Sequence, residues 1–77
     1  MDWQTAVLNA IRRHCKQTGN TVFYRIALIE EELDRIISDT DSKGRTPSQT
    51  MSRVLQELRD QGIIEFLDNR GTYRFLH

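Results

Sequence analysis

Three stretches with helical periodicity, followed by two short β-prone runs, leave this chain few architectures. In residues 3–17, Trp3, Val7, Ile11 and Cys15 recur every fourth position, with Leu8 and Ala10 beside them. Asp2 stands at the N-cap of this stretch and Gly19-Asn20 at its close. Thr21-Val22-Phe23 is β-prone but brief and reads as one strand-like link. Residues 24–38 place Ile26, Ile29, Leu33, Ile36 and Ile37 on one predicted buried side, with Glu30, Glu31 and Asp34 opposite. Residues 38–44 form a polar, Gly-ended loop.

The third helix has the clearest start. Thr46-Pro47-Ser48-Gln49 has the form of a capping box, in which the Thr hydroxyl accepts from the Gln amide and the Gln side chain reaches back. Pro47 takes the first helical position, where its missing N–H costs nothing. Met51, Val54, Leu55 and Leu58 mark the buried face, and Gly62 the stop. Two β-branched and aromatic runs, 63–67 and 72–76, are joined by Asp68-Asn69-Arg70-Gly71, where Gly71 supplies a positive φ. The expected fold class is mainly α (α+β): three helices and then a C-terminal two-stranded β-hairpin, which is the winged helix-turn-helix plan. Residues 1–77 read as a single domain. The connection of about eight residues before the third helix is longer than a compact helix-turn-helix allows.

A chain of 77 residues buries about 60% of its unfolded surface, which argues against a deep internal pocket. Cys15 is the one cysteine, so an internal disulfide and a multi-cysteine zinc cage are excluded. No apolar run approaches the roughly 20 residues of a membrane span, and no signal-peptide pattern opens the chain, so a cytoplasmic module is expected. His14 and Cys15 are adjacent on a helix and point about 100° apart, so they cannot act as base and nucleophile. His77 is terminal, and no Gly-rich phosphate loop occurs. The expectation is a binding module rather than an enzyme, with no cofactor and no metal.

Charge distribution says more than its sum. The 11 basic and 11 acidic residues cancel, yet residues 25–41 hold only Arg25 and Arg35 against Glu30, Glu31, Glu32, Asp34, Asp39 and Asp41. Both flanks are basic. Removing the core positions from the third helix leaves Ser48, Gln49, Ser52, Arg53 and Gln56. Hydroxyls, amides and a guanidinium are the groups that read base edges in a major groove. Helix dipole and free N–H groups at the start of the helix favour phosphate, and Lys43 and Arg45 stand just before it. On the hairpin, Asn69, Arg70 and Arg74 are candidates for backbone contact; Arg74 has a second reading as the cross-strand partner of Glu65. Arg12, Arg13 and Lys16 either reach the backbone or solvate the first helix.

The segment RVLQELRDQGIIEFLDNRGTYRF (residues 53–75) resembles the C-terminal winged-helix domain of DpnI-type methyl-directed restriction endonucleases, the Dam-replacing helix-turn-helix domain. VFYRIALIEEELDRI is similar to that family's second helix, so the resemblance covers about residues 22–76. It implies a module that reads adenine-methylated duplex DNA, with fully methylated GATC as the typical site, and that acts as a monomer in isolation. In that family the module is joined to a nuclease domain of the PD-(D/E)XK or HNH kind, in the cytoplasm of a bacterium or archaeon. The acidic loop at 38–42 looks closer to the HNH-fused branch. By motif, the base-reading role falls on Thr46, Ser48, Gln49, Ser52, Arg53 and Gln56. Two rivals remain: a methylation-insensitive winged-helix transcription regulator, and a protein-interaction winged helix that docks through its acidic second helix or its first helix.

Overall fold

Asp2 opens helix α1 (Trp3–Thr18): its backbone is extended at φ −77°, ψ 165°, and its carboxylate accepts from the Thr5 amide at 2.7 Å. Gly19 closes the helix in the left-handed conformation at φ 70°, as its position predicts. The computed structural model describes residues 1–41 and 46–76. Among these, β1 (Val22–Tyr24) runs directly into α2 (Arg25–Thr40). Helix α3 (Pro47–Asp60) and strands β2 (Ile64–Phe66) and β3 (Thr72–Phe75) follow. None of these helices is long and apolar enough to cross a membrane.

The expected two-stranded hairpin is a three-stranded antiparallel sheet in the order β1-β3-β2. The stretch read as a strand-like link pairs Val22 with Arg74, Phe23 with Tyr73 and Tyr24 with Thr72. Its alternation supplies the reason. Phe23 is fully buried, and its ring lies 5.3 Å from that of Tyr73, which in turn lies 4.9 Å from Phe66. One row of aromatic rings therefore crosses all three strands, and the row is complete only when β1 joins the central strand.

Helix α2 is rotated from its expected phase. Leu28 and Ile36 are fully buried, Ile29 and Leu33 are half-buried, and Ile26 is 69% exposed. No loop separates β1 from α2, and Tyr24 is both the last strand residue and the N-cap at φ −113°, ψ 139°. The strand's pleat therefore sets the helix phase, and Ile26 falls outward. The core is completed by Ala6, Val7, Ala10 and Ile11 of α1, Met51, Val54, Leu55 and Leu58 of α3, and Ile64, Tyr73 and Phe75 of the sheet.

The two ends of α3 differ. At its start the capping box does not form. Thr46 has ψ 65° rather than the extended value seen at Asp2, and its hydroxyl makes no cap bond. Its carbonyl instead accepts from the Thr50 amide at 3.1 Å and the Thr50 hydroxyl at 3.3 Å. Pro47 does occupy the first turn. At the other end, Gly62 adopts φ 77°. Ile63 N–H donates to Leu58 O and Gly62 N–H to Arg59 O, both at 3.0 Å, the paired bonds of a Schellman ending. That ending turns the chain straight into β2.

Candidate nucleic-acid interface

Burying Met51, Val54, Leu55 and Leu58 fixes which side of α3 faces outward. Thr46, Ser48, Gln49, Arg53 and Gln56 lie exposed on it, and Ser52 is half-buried. Gln49 and Gln56 have no side-chain hydrogen bond among the described residues, so both amides keep their full donor and acceptor capacity. Arg53 is 65% exposed and lies 4.0 Å from Glu57. A contact that long between exposed groups holds the guanidinium only weakly.

Ser48 and Ser52 are engaged differently. Arg25, the first residue of α2, crosses to α3 and donates through Nη2 to Ser48 O at 2.9 Å, Ser48 Oγ at 3.2 Å and Ser52 Oγ at 2.7 Å. Ser52 in turn donates its hydroxyl proton to Ser48 O at 3.2 Å. The Ser52 hydroxyl is thus engaged as both donor and acceptor within the protein, and it holds Arg25. By sequence alone, Arg25 is only a minority cation in the acidic segment. The signal that marks it is its place at a strand-to-helix junction without a loop. There, its backbone N–H also bonds Gly71 O at 2.8 Å.

A cleft of about 430 Å³ separates α3 from the β2–β3 loop. Arg25, Ser52, Gln56 and Arg59 line one side, and Phe66, Asn69, Arg70 and Tyr73 are among the residues of the other. Four expected site residues, Ser52, Gln56, Asn69 and Arg70, therefore meet in one place together with Arg25 and Arg59, two cations outside the expected set. Arg59 lies over the Phe66 ring, 4.6 Å from its centroid. The loop is shaped by Asp68, whose Oδ1 accepts from the amides of Arg70 at 2.8 Å and Thr72 at 3.1 Å. Those two backbone donors hold the Asp68 carboxyl below the usual aspartate range.

Other expected contacts lie elsewhere. Arg74 pairs with Glu65 across the strands at 3.1 Å, as its second reading has it. Lys43 and Arg45 lie outside the described residues. Arg13 is spent on Glu32, with Nε at 2.8 Å, and buried His14 meets Glu31 through Nδ1 at 2.7 Å. These ties join α1 to α2, so Glu31 and Glu32 serve the fold rather than a purely solvated face. Arg12 and Lys16 stay exposed. Among the described residues no group of three or more His, Cys, Asp or Glu is placed to hold a metal ion. Burial pushes the Cys15 thiol and the Tyr73 phenol up from their ordinary values, which makes neither a ready nucleophile.

No family model, curated protein or solved structure matches the chain.

Proposed function

We propose that this chain binds duplex DNA as a winged-helix module, with α3 in the major groove and the β2–β3 loop, as the wing, along the backbone. The target is N6-methyladenine, in fully methylated GATC, and the role is recognition for a methyl-directed restriction endonuclease whose cutting domain is separate. The single observation that carries DNA binding is the exposed trio Gln49, Arg53 and Gln56 on α3, free of any carboxylate from residue 46 to 56. An amide pairs bidentately with adenine and a guanidinium with guanine, each worth about 1–3 kcal/mol of discrimination.

The methyl-reading part rests on the resemblance and on side-chain size. A methyl on adenine N6 projects into the major groove and leaves one N–H to be accepted. Thr46 and Ser48 are small enough to border the methyl, and the Gln49 oxygen can take the remaining proton. In GATC the methyls of the two strands lie close together, so one helix reaches both. The test is an affinity panel with unmethylated, hemimethylated and fully methylated GATC duplexes. Tightest binding to the fully methylated duplex is expected. Equal affinities remove methyl reading and leave a methylation-insensitive regulator, while no binding at low salt favours a protein-docking module.

A further inference from the structure

We propose that the cleft between α3 and the β2–β3 loop is a phosphate-binding site, with Arg25 as its preset anchor and Arg59 and Arg70 as its other cations. Arg25 is fixed at both ends. Its backbone N–H bonds Gly71 O, and its Nη2 is held by Ser48 O, Ser48 Oγ and Ser52 Oγ. Its Nε and Nη1 have no acceptor among the described residues. A guanidinium held at one nitrogen keeps its free Nε–H and Nη1–H donors in fixed directions, and each of them can take a phosphate oxygen.

The charge balance of the cleft points the same way. All three oxygens that hold Arg25 are neutral, so nothing among them cancels its charge. The lining holds Arg25, Arg59 and Arg70 against one carboxylate, Asp68, and that carboxylate's Oδ1 is already used by two backbone amides. Arg59 reaches Asp60 at 3.3 Å, but this pair is exposed and weak. At about 430 Å³ the opening admits a phosphodiester with its flanking sugars as readily as a free phosphate. Where the base-reading proposal holds, the ligand is the DNA backbone beside the bases read by α3. The site itself follows from the cleft and does not depend on that proposal.

Titration of the ¹⁵N-labelled chain with inorganic phosphate, against chloride at equal ionic strength, reads the site through the arginine Nε–H signals. Saturable shifts at Arg25 and Arg70, with Arg53 unmoved, are expected. Arg25→Gln should abolish the Arg70 response. It should also weaken duplex binding about tenfold for every sequence alike and lower the salt slope by about one. Arg25→Lys should keep the slope yet still bind more weakly, because an ammonium cannot both bond the two serines as Nη2 does and present further donors in fixed directions. If duplex DNA shifts the α3 amides while the Arg25 signal ignores both duplex and phosphate, the site is wrong and DNA binding survives. If phosphate moves Arg25 but no duplex binds, the site stands with a free phosphate as its ligand and DNA binding falls.

Discussion

Arg25 Nη2 stands 2.7 Å from Ser52 Oγ, and this contact ties the start of α2 to the outward side of α3. It makes a serine expected to read a base a support for a cation as well. Ser52→Ala should therefore cost about 1 kcal/mol of stability, or roughly 4–8 °C in Tm for a domain of this size, by thermal unfolding. On DNA it should weaken methylated and unmethylated duplexes equally. A change in the preference between them would return Ser52 to base reading.

Phe23 and Ile26 make a matched pair of tests for the sheet and the helix phase. Phe23→Ala removes a fully buried ring from the aromatic row and should cost about 3–5 kcal/mol in urea unfolding. Ile26→Ser, at a site 69% exposed, should stay within about 0.5 kcal/mol of the parent. The reverse ranking would mean that β1 is not joined to β3 and that α2 faces the core by its other side.

The contrast between those two residues also marks how far the amino-acid sequence could be read. Long, strongly periodic segments and the left-handed glycines at 19, 62 and 71 were legible, because each follows from a local rule. The pairing of β1 with β3 was not, since three residues carry too little pattern to declare a partner 50 positions away. The phase of α2 then followed from that unseen strand. Thr46 satisfied the capping pattern by residue type, while its ψ of 65° aims the hydroxyl elsewhere. On α3, the exposure of Gln49, Arg53 and Gln56 was legible by subtracting the core. Arg25 was missed because its importance comes from a tertiary reach across to α3 rather than from its neighbours in sequence.

Gly71 is constrained twice. Its φ of 94° disfavours any side chain, and an added Cβ would stand 3.2 Å from Arg25 Cβ. Gly71→Ala should lower stability by about 1–2 kcal/mol through backbone strain. It should also shift the Arg25 Nε signal, because the contact lies at the base of that side chain. An unchanged Arg25 spectrum in a destabilised variant would separate the loop from the guanidinium.

Asp2 and Asp68 contribute to stability against acid. Backbone N–H donors depress both carboxyls in the folded state, Thr5 acting on Asp2, and Arg70 and Thr72 on Asp68. Their folded values lie below the unfolded value of about 3.9, so the unfolded chain binds more protons between the two. The stability they contribute is complete above about pH 5 and is lost as pH falls through the unfolded and then the folded values. In thermal scans from pH 5 downward, the Asp2→Ala/Asp68→Ala double variant should show a flatter acid limb than the parent. Parallel limbs would contradict the assignment.

Recognition by the outward side of α3 is tested most directly by the duplex affinity of Arg53→Ala, measured for fully methylated GATC and for a scrambled duplex at one salt concentration. The variant should lose about 1–3 kcal/mol on the GATC duplex and little on the scrambled one, so that the preference between them collapses. Undiminished affinity and preference in a folded Arg53→Ala would contradict the account.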